Sequence, residues 1–283
     1  MNNALEPGTV AILSPRVRRL VAPNPGMMTG PGTNTYLVGE RDIAVIDPGP
    51  AIQQHVDAIL AAAGARLRFI LVTHTHTDHS PATAALAQKS GAEIIGRPAP
   101  QGEHQDAGFS PDRVPEEGDT INGDGFVLRV LRTPGHASNH VCYLLDDENL
   151  LFTGDHIING STVVIDPPDG DMNEYLSSLA RLKRETLSAI APGHGELIHD
   201  PYEAISKLIA HRLNRESIVV DALRAHPRST VRQLLPHVYS EIDASLYPVA
   251  ERSLLAHLLK LDSDRYAECT DDRWQLLTGH EAG

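Results

Sequence analysis

Three imidazoles and a carboxylate crowd into six consecutive positions, His74 to His79, within Thr73-His74-Thr75-His76-Thr77-Asp78-His79. Neutral imidazole nitrogen and carboxylate oxygen are the usual ligands of zinc and related divalent metals, so this stretch predicts a metal-binding loop. The apolar run Phe69-Ile70-Leu71-Val72 leads straight into it. Such a run reads as a buried strand, and α/β sheets place their ligand sites at the carboxyl ends of strands. Beyond the loop, Ser80-Pro81-Ala82 opens an Ala-rich helical stretch, proline being tolerated in a first turn.

The flanking sequence repeats this arrangement. Val10 to Leu13 and Val17 to Ala22 read as short strands, followed by a Pro- and Gly-rich stretch from Pro23 to Gly32 that is expected to form a mobile flap. Thr35 to Val38 and Ile43 to Ile46 make a hairpin that ends in Asp47-Pro48-Gly49. Ile52, Val56, Ile59, Leu60 and Ala63 share one helical face, and Gly64 closes that helix. In the second half Phe126 to Leu131 runs into Thr133-Pro134-Gly135-His136, and Val141 to Leu145 pairs with Leu150 to Phe152, which ends in Gly154-Asp155. A helix over Glu174 to Glu185 follows, and Ala189-Ile190-Ala191 delivers Pro192-Gly193-His194-Gly195. Each half thus reads as strand, strand with a terminal Asp, helix, strand with a terminal His. Asp47 corresponds to Asp155 and His74 to His194. The repeat predicts an α/β fold in which two sheets meet face to face, each covered by helices, with His74, His136, Asp155 and His194 at one edge.

This set of motifs resembles the metallo-β-lactamase superfamily: His-x-His-x-Asp-His at His74, His76, Asp78 and His79, then His136, Asp155 and His194 in the family's order. The resemblance implies the four-layer αββα sandwich. It also implies two divalent metal ions, zinc with manganese or iron as alternatives: His74, His76 and His136 on one, Asp78, His79 and His194 on the other, and Asp155 between them. Asn24-Pro25-Gly26, Gly32-Thr33-Asn34-Thr35-Tyr36-Leu37-Val38-Gly39 and Pro192-Gly193-His194-Gly195 look like the lactamase-beta-two endoribonuclease branch, which fungal polyketide thioesterases share.

From Pro201 the texture changes to helices over Glu203 to Leu223 and Pro248 to Leu261, with a short one between them capped by Ser229. Tyr266-Ala267-Glu268 and Trp274-Gln275-Leu276 close with a small hairpin. The expected division is therefore a metal-dependent hydrolase domain over 1–200 and a winged-helix-like domain over 201–283. The latter holds ten Lys and Arg against twelve Asp and Glu, so a packing or dimerisation module fits better than a nucleic-acid reader. The formal charge of −13 likewise disfavours phosphate backbones. Cys142 and Cys269 make no disulfide framework or zinc pair and read as packing residues. No signal-like or membrane-length apolar stretch occurs, which points to a cytoplasmic protein.

Five imidazoles and two carboxylates leave a two-metal site with a net charge of about +2, which favours an anionic or oxyanion-forming substrate. The expected reaction is hydrolysis by metal-activated water of an ester, thioester or related acyl bond in a small metabolite. The alternative is single-strand RNA cleavage. Asp78 is the candidate for orienting the water and shuttling its proton, and His140 for protonating a leaving group. Asp47 is expected to accept hydrogen bonds from the ligand loop. Thr33, Asn34, His156 and Tyr175 are candidate substrate contacts by position, with His199 as a further pocket residue.

Overall fold

A computed structural model describes residues 5–277; the extremes of the two expected domains, 1–4 and 278–283, lie outside the described residues. Six strands form the first sheet in chain order: β1 (Ala11–Ile12), β2 (Val17–Val21), β3 (Asn34–Val38), β4 (Ile43–Ile46), β5 (Leu67–Leu71) and β6 (Glu93–Ile95). β1 to β4 pair antiparallel. β4, β5 and β6 are parallel, because helices α1 (Gln53–Ala63) and α2 (Thr83–Ser90) carry the chain back across one face. The second sheet contains β7 (Thr120–Gly123), β8 (Phe126–Arg132), β9 (Val141–Leu145), β10 (Leu150–Gly154) and β11 (Ala189–Pro192) in the order β11-β10-β9-β8-β7. Its one parallel pair, β10 with β11, is bridged by α3 (Met172–Leu182).

Side-chain alternation sorts residues between layers. In β9, Val141, Tyr143 and Leu145 face the first sheet, whereas Cys142 and Leu144 face helices. The inter-sheet core joins Tyr36, Ile46 and Leu71 to Phe126, Leu128, Val130 and Phe152. Phe152 is 1% exposed with its ring 5.1 Å from that of Tyr36, so Phe152→Ala would cost about 3–5 kcal/mol by opening this centre. Val56, Ile59 and Leu86 cover the outer face of the first sheet. Tyr175, Leu179 and Leu182 of α3, with Ile205 and Leu208 of α4 (Pro201–Ala225), cover the second. The layers run helix, sheet, sheet, helix, as the internal repeat implies.

The second half of α4 enters a separate core with α5 (Val231–Val238), α6 (Tyr247–Ser263) and the hairpin of β12 (Ala267–Thr270) and β13 (Arg273–Leu276). Val219, Leu223, Leu234, Leu254, Leu258 and Trp274 fill it. Ala256 of α6 belongs instead to the core over α3, so α6 leans against the hydrolase layers.

Several expectations needed correction. Thr230, not Ser229, caps α5: its side chain accepts from Gln233 N, and Gln233 returns a bond to the Thr230 N–H. The backbone of Ser229 is taken by Trp274. Cys142 is buried in the core, but Cys269 is exposed on β12, so only the former is a packing residue. β6 and β7 carry no strand signal in the sequence, being three and four residues long with little apolar pattern. Among the described residues no helix is long and apolar enough to cross a membrane.

Candidate metal centre

Every converging group is delivered by the carboxyl end of a strand. β4 leads into Asp47, β5 into Thr73 to His79, β8 into His136, β10 into Asp155 and β11 into His194. Parallel pairing of β4 with β5 and of β10 with β11 puts these ends at one edge of the sandwich.

Three sets of donor atoms each lie within 4.8 Å of one another: His74–His76–His136, His74–His79–Asp155, and Asp78–His79–His194. In the first, His76 Nδ1 is 3.0 Å from His74 Nε2 and 3.1 Å from His136 Nε2. In the last, Asp78 Oδ2 is 3.4 Å from His79 Nε2 and 3.3 Å from His194 Nε2. Asp155 faces both sets. Its Oδ1 is 3.3 Å from His79 Nε2 and from His194 Nε2, and its Oδ2 is 4.0 Å from His136 Nε2. Donors at tetrahedral corners about 2.0–2.1 Å from a metal stand about 3.3–3.4 Å apart, close to the spacings within each set, while the 4.0 Å from Asp155 Oδ2 to His136 is longer.

In four of the five imidazoles the remaining nitrogen is tied down so that the converging one keeps a lone pair. His79 Nδ1–H donates to Asp47 Oδ2 at 3.0 Å, His136 Nδ1–H to the Val164 carbonyl at 2.7 Å, and His194 Nδ1–H to the Gly32 carbonyl at 3.3 Å. His74 Nδ1–H donates to Thr73 Oγ1 at 3.0 Å, and the Thr73 hydroxyl passes its own proton to Asp47 Oδ2 at 2.7 Å. Asp47 Oδ1 also accepts from Thr73 N at 2.7 Å, so this buried carboxylate accepts from the ligand loop as expected and orients two histidines at once.

Burial, the largest single influence, opposes charge on His79 and His194, yet the carboxylates of Asp78 and Asp155 outweigh it. His79 is held well above the usual histidine range and His194 is pushed up to about 10. Burial and neighbouring imidazoles hold His74 well below that range and His76 down to about 3. The carboxyls of Asp78 and Asp155 are depressed: burial works against ionisation, and the adjacent His79 and His194 overcome it. Without a metal, the carboxylates of Asp78 and Asp155 thus favour the protonated forms of His79 and His194. A metal ion would take the place of those protons. His79 Nε2, His194 Nε2 and Asp155 Oδ1 are buried, each nitrogen facing the oxygen at 3.3 Å without a well-aligned hydrogen bond, an arrangement that a cation among them explains. Gly193 keeps the space open, since a Cβ there would lie 2.5 Å from Asp155 Oδ1. The residues fit a divalent metal centre.

The other sequence candidates fall in different places. Thr33 Oγ1 donates to Asp78 Oδ2 at 3.1 Å, and Asn24 holds Thr33 through both amide atoms at 3.0 Å. Asn34 is buried and donates to the carbonyls of Pro192 and Gly195, which bracket His194. It supports the ligand loop and does not face solvent. His140 is fully buried, its ring stacked 5.0 Å from that of His74 and its Nδ1 2.9 Å from Thr133 Oγ1. That position behind a metal-facing histidine does not suit direct delivery of a proton to a leaving group. His156 and Tyr175 are equally buried, the Tyr175 hydroxyl donating to the His156 carbonyl, so neither lines an open pocket. His199 is exposed just past the bridge between Ile190 and Ile198, outside the converging donors. Asn24, Thr73 and the carbonyls of Gly32 and Val164 escaped the sequence reading. Asn24 alone carried a signal, its place in Asn24-Pro25-Gly26.

The chain matches the metallo-beta-lactamase superfamily over residues 28–194 and the beta-lactamase associated winged helix domain over 230–274. It is 35% identical to a lactamase-like protein of Pestalotiopsis microspora over 75% of this chain, spanning 64% of that protein's length. It is 29% identical to a beta-lactamase-like protein 2 homolog of Caenorhabditis elegans, covering 90% of this chain and 87% of that one. With an atrochrysone carboxyl ACP thioesterase of Aspergillus chevalieri the identity is 30% over 89% of this chain and 83% of the other. A beta-lactamase domain protein from Burkholderia ambifaria shares the fold, with a TM-score of 0.81 at 20% identity over 98% of this chain and 96% of that one. A four-layer sandwich, converging His and Asp donors at its edge and a matching carboxy-terminal domain make this chain a hydrolase of the metallo-beta-lactamase superfamily that carries the family's associated winged helix.

Proposed function

We propose that the protein is a two-metal hydrolase, zinc-dependent or served by manganese or iron, that cleaves an ester, thioester or related acyl bond of a small metabolite. The observation that carries the two-metal reading is Asp155, whose two carboxylate oxygens face two separate sets of donors. Divalent metals in such a shell supply Lewis acidity and lower the pKa of water towards ~7.

The chain's own groups divide the remaining work. Asp78 is the more exposed of the two carboxylates, with 25% of its side chain accessible against 14% for Asp155, and so can exchange a proton with the site. The Thr33 hydroxyl fixes Asp78 by donating to Oδ2, and Asn24 fixes Thr33. Asp47, Thr73 and the Gly32 and Val164 carbonyls hold the imidazoles in the tautomers that present lone pairs inward. A thiolate leaves near its pKa of ~8.5 without a proton, whereas a sugar alkoxide needs one. With His140 buried behind His74, the easier leaving group suits this site better.

The thioesterase among the relatives supports an acyl substrate. RNA cleavage is less favoured, since α6, the helix a winged-helix reader would lay on nucleic acid, puts Ala256 into the core over α3. The free thiols of Cys142 and Cys269 suit the reducing cytoplasm. A screen of metal-loaded protein against acyl thioesters, lactones and single-stranded RNA tests the assignment. We expect thioester turnover with little salt dependence. RNA cleavage with a salt slope near ~0.7 per phosphate contact, and no acyl hydrolysis, would reverse it.

A further inference from the structure

We infer that α4 and α6, the helices through which the winged-helix region joins the hydrolase layers, are working parts of the metal centre, with Arg212 of α4 and Arg252 of α6 as positioning residues for His136. The link is one short segment. His136 owes its orientation to the Val164 carbonyl, which accepts its Nδ1 proton at 2.7 Å. The preceding carbonyl, that of Val163, accepts from Arg212 Nη2. Two residues further on, Asp166 Oδ2 accepts from Arg252 Nη1 at 3.3 Å. Val163 and Ile165 turn their side chains into the core over α3. Arginines from α4, which runs from the hydrolase layers into the winged-helix core, and from α6 therefore hold the segment on either side of the carbonyl that His136 uses.

Arg212 also reaches the opposite wall of the His136 loop. Its guanidinium carbon lies 5.4 Å from the centre of the Tyr175 ring. The backbone of Tyr175 packs so closely on Gly135 that a Cβ there would lie 2.3 Å from Tyr175 Cα, and Gly135 precedes His136. Only 3% of Arg212 is exposed, and among the described residues it has no carboxylate partner in an ion pair. A buried guanidinium without a counter-charge is expensive, and burying an apolar side chain of that size would cost less. The contacts it does make, the Val163 carbonyl and the Tyr175 ring, adjoin the Val164 carbonyl that His136 uses and the backbone packed on Gly135, the residue before His136. That placement gives the appended region a task that needs neither nucleic acid nor a second chain.

The inference rests on the metal-binding reading of His136, and the test separates the two. Full-length wild type, Arg212→Met, Arg212→Lys and Arg252→Ala are loaded with cobalt(II), whose visible absorption reports ligand geometry, and titrated with a chelator. Val238→Ala, which loosens the winged-helix core away from the segment, serves as the control for general destabilisation. We expect Arg212→Met to bind cobalt about tenfold more weakly at one of two positions with an altered spectrum, Arg212→Lys to recover most of the loss, and Arg252→Ala to show a smaller shift of the same kind. Val238→Ala should keep the wild-type spectrum. Unchanged affinity and spectrum in both Arg212→Met and Arg252→Ala would overturn the inference, as would an equal change in Val238→Ala. Should Arg212→Met fail to fold, Arg212→Lys and Arg252→Ala decide it alone. A wild type that binds no cobalt would instead overturn the reading of His136 as a ligand.

Discussion

Replacing Asp47 by Asn isolates the tautomer control that the metal centre depends on. The carboxylate receives three donors: Thr73 N at 2.7 Å, Thr73 Oγ1 at 2.7 Å and His79 Nδ1 at 3.0 Å. An amide has one acceptor atom, so either orientation aims its NH2 at a donor. If the amide oxygen keeps the backbone N–H, which cannot move, the NH2 faces Thr73 Oγ1 and His79 Nδ1. His79 then accepts at Nδ1 and carries its proton on Nε2, the atom 3.3 Å from Asp155 Oδ1 that a metal would need. Two hydrogen bonds to a charged group, each worth about 1.5–3 kcal/mol, are exchanged for weaker ones, so the fold loses roughly 2–4 kcal/mol after rearrangement. Metal affinity at the Asp78–His79–His194 set should fall about 10–100-fold, while the His74–His76–His136 set is affected less. Chelator competition with elemental analysis at each step measures this, and thermal unfolding confirms the fold. Both metals retained in Asp47→Asn with affinities within about twofold of wild type would refute the tautomer argument.

Three further outcomes follow from the same geometry. Thr33→Val deletes the donor to Asp78 Oδ2 and should lower kcat about tenfold with KM nearly unchanged; a change confined to KM in steady-state kinetics would make Thr33 a substrate contact instead. His140→Ala empties the space behind His74, costing about 2–4 kcal/mol, and should slow thioester and alkyl-ester hydrolysis by the same factor; a much larger loss for the alkyl ester would restore it as a proton donor. The pH dependence has a definite sign: His194, raised to about 10 from its ordinary 6.5, stabilises metal-free protein fully below pH 6.5 and loses that contribution as pH rises through 10. Urea unfolding of metal-free protein should therefore show falling stability between pH 6.5 and 10, and metal-loaded protein a weaker fall if a metal takes the place of the His194 proton.

The sequence displayed the parts of the site that lie at strand ends beside glycine, because a buried strand's apolar run and the ligand following it are both local. His74, His136, Asp155 and His194 were readable for that reason, and Asp47 through the internal repeat. Thr73 was in plain view but looked like spacing between ligands, although its hydroxyl links His74 to Asp47. The carbonyls of Gly32 and Val164 leave no mark in a sequence, since any residue supplies a carbonyl. Burial misled the reading of His140, His156 and Tyr175: proximity in sequence to ligand loops suggested a pocket, but the chain turns inward after His136 and Asp155 and packs these rings beneath the site. Arg212 gave no local sign, because its meaning comes from a segment about fifty residues earlier.

The most direct test of a two-metal hydrolase is to count metals and turnover in the same samples. Metal-free protein is titrated with zinc while bound metal per chain and acyl-thioester hydrolysis are recorded, for wild type and Asp155→Asn. Wild type should saturate at two equivalents with activity completed by the second, and Asp155→Asn should lose both high-affinity binding and rate, since the carboxylate facing both donor sets has lost its charge. Full activity at one equivalent, or an Asp155→Asn protein with two tightly bound metals and undiminished turnover, would contradict the account.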